Sequence, residues 1–163
     1  MERVSTPSDY VIVNPSESDC ADIAVIDGTT TEARSAADFI DAAGKDCYRL
    51  YVIKKTENTD DGEILGFALF TFVCYEAELL KITIKESARG CGLGKILLEA
   101  ALDNLRKEEA ESVFLEVRED NLPAIKLYEN CGFNPVGRRK NFYTNPVCDA
   151  LTFNRSFNPD GVL

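Results

Sequence analysis

The stretch Arg89-Gly90-Cys91-Gly92-Leu93-Gly94-Lys95 sets three glycines between two cations, just ahead of an amphipathic run. The chemistry that this spacing suggests is anion binding. Glycine at 90, 92 and 94 permits positive φ and lets phosphate oxygens reach the main chain with no Cβ in the way, while Arg89 and Lys95 add charge. Where a strand gives way to a helix, unpaired N–H groups and the positive end of the helix dipole converge on one point. Two other phosphate loops do not fit. A dinucleotide-binding fingerprint follows the first strand of its unit, whereas several strand-like runs precede Arg89. A Walker A loop needs Ser or Thr after its Gly-Lys, and Lys95 is followed by Ile96.

Acid and base groups come later, in Leu115-Glu116-Val117-Arg118 and in the run through Asn121 and Tyr128 to Phe133. In a strand, Val113, Leu115 and Val117 share one face and leave Phe114 and Glu116 on the other. Glu116 then sits either on a solvated face or in a functional cleft. The chain has no histidine, so removing a proton from an amine falls to a carboxylate, directly or through water, and Glu116 is the candidate. An α-amino group titrates near ~7.7–8.0 and a lysine near ~10.4, so neutralising a lysine at pH 7 costs about 3–4 kcal/mol more and an α-amine is the easier nucleophile. Asn121 fits a helix N-cap, with Pro123 in the first turn. Leu122, Ile125 and Tyr128 follow at intervals of three, which turns Tyr128 toward the sheet, where its hydroxyl must find a partner in the interior.

Six cysteines, Cys20, Cys47, Cys74, Cys91, Cys131 and Cys148, are spread singly without a Cys-x-x-Cys pair. With no histidine beside them they offer no zinc-ligand spacing, and no metal is expected. They read as reduced thiols, none with an evident base that would make it an acyl-carrying nucleophile.

These groups must be placed by elements that the periodicity marks out. Tyr10 to Val13 reads as a short strand, followed by helical segments around Ser18 to Ile26 and Thr31 to Ala43. Tyr48 to Lys54 and Ile64 to Val73 form an antiparallel hairpin about the turn-forming Glu57 to Glu63, and Ala77 to Ile84 completes the meander. Leu93, Ile96, Leu97, Ala100 and Ala101 lie on one face of a helix. Val113 to Val117 is a buried strand, Asn121 to Asn130 a helix closed by Gly132, and Asn134 to Lys140 and Ala150 to Phe157 the last two strands. Strand, helix, strand from Leu79 to Val117 implies a parallel pair joined by a right-handed crossover. The class is α+β: one domain over 1–163, with 1–8 as a flexible tail.

A formal net charge of −10 argues against a nucleic-acid partner, since phosphate backbones need a basic surface. An anionic ligand must therefore be held by a local device. The run Arg138-Arg139-Lys140 reads as a solvated strand end. No apolar run is long enough to span a membrane and Met1 to Tyr10 lacks the apolar centre of a secretory signal, so a cytoplasmic protein is expected.

A strand, then Arg89, Gly92 and Gly94 in an Arg/Gln-x-x-Gly-x-Gly pattern, then LEVREDNLPAIKLYENCGF from Leu115 to Phe133, resembles the acetyltransferases of the GNAT superfamily. More narrowly, it resembles the RimI-type N-terminal acetyltransferases, which act on the N-terminal alanine of a small-subunit ribosomal protein. The resemblance implies a mixed sheet of about seven strands with about four helices, and acetyl-CoA as cosubstrate. It implies that Ile82, Thr83 and Ile84 run along the acetyl and pantetheine portion, with main-chain hydrogen bonds from Ile82 and Ile84. Arg89 to Lys95 would hold the pyrophosphate and Asn121 would lie near the thioester. Glu116 matches the general base, Tyr128 the general acid and Tyr143 a tyrosine that holds the acceptor. The implied acceptor is a protein N-terminus such as that of a ribosomal protein; a small amine or a lysine side chain is the alternative, and a noncatalytic acyl-CoA-binding module a further one. Glu86 stands where the family has a proline, and Asp19 to Lys45 lacks the family's Pro-Trp signature. Oligomeric state stays open.

Overall fold

The structure, a computed structural model, describes residues 9–30, 32–56 and 62–158. The expected tail over 1–8 and most of the turn after the second strand lie outside these residues. The elements are β1 (Tyr10–Val13), α1 (Asp19–Asp27), α2 (Ala36–Ala43), β2 (Tyr48–Lys55), β3 (Ile64–Val73), β4 (Glu76–Ile84), α3 (Leu93–Lys107), β5 (Ser112–Arg118), α4 (Leu122–Asn130), β6 (Asn134–Thr144) and β7 (Val147–Ser156), with a 3₁₀ turn at Glu86–Ala88. They build one mixed sheet in the order β1-β2-β3-β4-β5-β7-β6. β4 and β5 are parallel, across the α3 crossover, and every other pair is antiparallel.

Helices cover both faces of the meander. Cys20, Ile23 and Ile26 of α1 and Phe39 and Ala42 of α2 pack on Leu50, Val52, Phe67 and Leu69. On the other face Leu97, Ala101 and Leu105 of α3 and Tyr128 of α4 pack with Tyr51, Ile53, Ala68, Phe70 and Leu115. This is why β2 and β3 read as unbroken apolar runs instead of alternating ones. Each fully buried Leu or Phe here contributes about 1.5–3 kcal/mol. In β5 the alternation is clean: Val113, Leu115 and Val117 are buried, while Phe114, Glu116 and Arg118 face the other side.

Several ends fall where the side chains dictate. α2 starts at Ala36, later than the helical segment expected from Thr31. Ser35 accepts from the N–H of Asp38 at 3.2 Å and the Asp38 carboxylate takes the N–H of Ser35 at 2.8 Å, a reciprocal cap that fixes the first turn. α4 ends as expected at Gly132, whose φ of +83° lets Gly132 N–H reach Glu129 C=O at 3.1 Å and Phe133 N–H reach Tyr128 C=O at 3.0 Å. β6 runs on to Thr144, past the Lys140 end expected, because Tyr143 and Thr144 pair with Cys148 and Val147 across a hairpin.

Candidate active site

The site begins with a fault in a strand. Along β3 and β4 the register passes from Leu69↔Lys81 to Phe70↔Leu79, leaving Leu80 as an extra residue. Such a bulge bends its strand and reverses the facing of everything beyond it. Ala77 and Leu79 therefore pack on the α3 side before the bulge, and Ile82 and Ile84 do so after it. At the same point the parallel pairing stops: β5 is joined to β4 over Glu76–Leu79 only. Beyond Leu79 the two strands part and a wedge opens between them.

The free edge of β4 lines that wedge. Lys85 N–H donates to Leu65 C=O at 2.7 Å. Alternation along an antiparallel ladder then has Thr83 bonding β3 as well, while Ile82 and Ile84 turn their N–H and C=O groups the other way, toward the gap. Thr83 is thus main-chain paired with β3 and buried, away from that edge. The Ile84 carbonyl accepts Arg89 Nε at 2.9 Å, which ties the glycine loop to the strand end.

The loop opens α3 in a way unlike the other helix starts. α1 and α2 carry acidic residues in their first turns, Asp19 and Asp22 in one and Asp38 in the other. α3 has neither an acidic first turn nor a capping side chain. Its N-cap is Gly92 at φ +76°, and its first intrahelical bond runs from Ile96 N–H to Gly92 C=O at 3.2 Å, so the N–H groups of Leu93, Gly94 and Lys95 point out of the helix end. A Cβ placed on Gly90 or Gly92 would meet nothing within 4 Å, so the space in front of the loop is open. Gly94 differs from the expectation of positive φ. It is helical, and a Cβ there would lie 3.5 Å from Leu127, so its smallness serves the packing of α3 against α4. Among the described residues Lys95 pairs with Glu99 alone, at 3.8 Å, an exposed contact that an anion could displace.

The wedge holds a cleft of about 820 Å³ whose lining includes Ile82, Glu116, Asn121, Tyr128 and Tyr143. Sequence positions from four separate elements are thereby brought into one space. Asn121 caps α4, its Oδ1 accepting from Ala124 N–H at 3.3 Å. Tyr128 is buried by ring contact with Phe133, at 6.0 Å between centroids. Its hydroxyl finds no interior hydrogen bond among the described residues; it opens on the cleft instead, because α4 lies along the wedge. A tyrosine is protonated at neutral pH in any case, and burial, helped by Tyr143 and Cys131, pushes its pKa well further up. Tyr143 is held under the Arg118 guanidinium at 5.0 Å from its ring centroid, and burial, then Glu116 and Glu32, raise its pKa too. Another cavity, of about 540 Å³, lies beside the C-terminal end of α3 and is lined by Arg49, Tyr51 and Glu108 among others; none of the expected site residues borders it.

Two features escaped the sequence reading. Glu116 Oε1 is paired with Arg139 Nε at 2.9 Å, and the same guanidinium stacks on Phe142 at 5.5 Å. Arg138 pairs with Glu119 and Asp149 at 2.9 Å each, so the basic run is part of the site's frame, not merely a solvated strand end. The second is a knot of polar groups at Lys81, Asp27, Thr30 and Glu32 along the cleft's other wall. No pattern in the sequence links residues so far apart, and Lys81 hides inside an apolar strand.

A sequence profile of the acetyltransferase (GNAT) family matches residues 20–133. The chain is 42% identical over 87 residues to the ribosomal protein bS18-alanine N-acetyltransferase of Haemophilus influenzae, covering 53% of this chain and 59% of that protein. It is 40% identical over 92 residues to the enzyme of the same name from Escherichia coli K12, covering 56% and 61%. The match thus spans about three fifths of these relatives' length. The crystal structure of the ribosomal-protein-S18-alanine N-acetyltransferase from Escherichia coli superposes with a TM-score of 0.79 at 28% identity, over 94% of this chain and 99% of that one. A spermidine N-acetyltransferase chimera of Vibrio cholerae and hSSAT shares the fold with a TM-score of 0.78 at 19% identity, over 91% and 96%.

Proposed function

The chain belongs to the acetyltransferase (GNAT) family, and from that premise we propose that it moves an acetyl group from acetyl-CoA directly to a primary amine, the N-terminal α-amine of a protein such as a ribosomal protein. One observation carries the reading. Glu116, Tyr128 and Tyr143 line one cleft in the wedge between β4 and β5, and Arg89 ties the open glycine loop to the end of β4 that borders that wedge.

The residues present suit the cofactor. The N–H groups at the start of α3, with Arg89 and Lys95 beside them and open space before Gly90 and Gly92, would hold the pyrophosphate. The outward main chain of Ile82 would take the pantetheine arm, and the Asn121 side chain would stand near the thioester. Acetyl-CoA supplies the activated acetyl group. Arg139 engages Oε1 of Glu116, which leaves Oε2 to accept the acceptor's proton. Tyr128, protonated at neutral pH, holds a proton for the departing sulfur. No cysteine is among the residues that line the cleft, which favours direct attack by the amine over an acyl-enzyme.

The α-amine is favoured as acceptor by its lower pKa and by the names of the relatives at about 40% identity. Thiol release from acetyl-CoA tests this across peptides with varied free N-termini, polyamines, and lysine peptides with blocked N-termini. Release confined to free α-amines supports the reading. Release with only polyamines or blocked lysine peptides would remove it.

A further inference from the structure

The wall of the cleft opposite Tyr128 is built around a buried ion pair. Asp27, the last residue of α1, is fully buried, and its carboxylate pairs with Lys81 of β4, which is 14% exposed. Lys81 Nζ spends its other two N–H groups on Thr30 Oγ1 at 2.6 Å and on the main-chain carbonyl of Glu32 at 2.7 Å. All three ammonium donors are then satisfied. Asp27 Oδ2 also accepts the main-chain N–H of Arg34 at 2.6 Å, and Thr30 Oγ1 donates to the Asp27 carbonyl at 2.7 Å. The connection between α1 and α2 is thus gathered onto one side chain, just beyond the bulge where β4 leaves β5.

Counting charges along the cleft gives this grip a purpose. The charged lining residues are Glu32, Lys81, Glu116 and Arg118. Lys81 is neutralised by Asp27, Glu116 by Arg139 and Arg118 by Asp120. Among the described residues Glu32 forms no ion pair, so its carboxylate is the charge left over. Glu32 lines the same cleft as Tyr143, and after burial and Glu116 its charge helps raise the Tyr143 pKa.

We propose that Lys81 is a positioning residue for the acceptor: by gripping Asp27, Thr30 and the main-chain carbonyl of Glu32 it sets the backbone that carries the exposed Glu32 carboxylate at the cleft, where that charge selects acceptors with a second positive charge near the reacting amine. The proposal rests on the reading of the cleft as an acetyl-acceptor site. It adds that an uncharged neighbour to the amine is disfavoured, and that this preference is set from β4 through a buried pair.

Steady-state acetylation of paired peptides tests it, each pair sharing a free N-terminal alanine and differing only in Lys or Gln at position two, three or four. The wild-type protein should favour the Lys member of at least one pair by roughly twofold to fivefold in kcat/KM, through KM, the range of a partly exposed ion pair. Glu32→Gln and Lys81→Met should each bring that ratio close to one, with acetyl-CoA affinity unchanged. Because Lys81→Met leaves a buried carboxylate alone, the double variant Asp27→Asn/Lys81→Met is measured beside it, with melting curves to confirm folding. Glu32→Gln alters only an exposed side chain and keeps the test open if both fail to fold. A wild-type ratio near one in every pair, or a ratio that survives in Glu32→Gln or in a folded Lys81 variant, overturns the proposal. Absence of transfer to any of these peptides by the wild-type protein instead overturns the acetyl-acceptor reading, and this proposal with it.

Discussion

In the proposed mechanism Glu116 and Tyr128 would divide proton handling, one as acceptor and the other as donor. Glu116→Gln keeps the shape but can no longer accept a proton, so turnover should fall by about 10²–10⁴ with acetyl-CoA affinity little changed. Tyr128→Phe removes only a hydroxyl that opens on the cleft, and turnover should fall while the fold and the cofactor site persist. Rapid-quench kinetics on the purified variants check both; wild-type chemical rates would remove the roles. Tyr51 offers the contrast of a buried tyrosine outside the proposed site. Its hydroxyl is fully enclosed and has no hydrogen-bond partner among the described residues, so Tyr51→Phe should leave stability unchanged or raise it by about 1 kcal/mol in urea titration. An unfolded tyrosine loses its proton near pH ~10, whereas burial, with Glu108 nearby, holds Tyr51 protonated above that range. Above about pH 10 the folded chain therefore binds more protons than the unfolded one, and stability falls as pH rises. Tyr51→Phe should make that alkaline decline shallower, and an unchanged slope would contradict the account. Glu116 was legible from the sequence as an interruption of an apolar strand, and Tyr128 from its helical spacing. Arg139 was not, because its partner lies two strands away and only the β5-β7-β6 order brings them together.

At the scale of elements, the site depends on a helix that starts with nothing of its own to neutralise its positive end. Gly92→Asp would put a carboxylate there and a Cβ where phosphate should approach, so calorimetry should show acetyl-CoA binding lost. The left-handed φ of +76° adds a cost of about 1–2 kcal/mol to folding. Unchanged affinity in the folded variant would refute the cradle. On the other face, Ser35→Ala should cost about 1 kcal/mol by opening the reciprocal cap of α2, measured by denaturation. Helices α3 and α4 were both readable, since α3 has a clear apolar stripe and α4 has Asn121, Pro123 and Gly132 as punctuation. The start of α2 was misjudged because Thr31 to Ser35 carries no apolar period and the cap is a local hydrogen-bond exchange. The bulge at Leu80 left no mark either: ITI after LLK reads equally well with either facing, and only pairing with β3 decides it.

Over the whole molecule, an acidic chain of net charge −10 would, in the proposed function, bind an anionic cosubstrate through a local arrangement of N–H groups while presenting carboxylates to an amine. The overall layout followed from composition and periodicity, with a meander, then a crossover, then a final hairpin. The acceptor end did not, because the connection between α1 and α2 is held to β4 by side-chain contacts between residues far apart in sequence, Lys81 with Asp27 above all. The fold alone does not choose an acceptor, since proteins named for a ribosomal protein and for spermidine share it. The direct test is to incubate the protein with acetyl-CoA and one peptide that carries both a free N-terminal alanine and an internal lysine, and to locate the added acetyl group by fragmentation mass spectrometry. The account predicts acetyl on the α-nitrogen alone, and none with Glu116→Gln over the same time; acetyl on the lysine side chain alone, or the same yield from the variant, would contradict it.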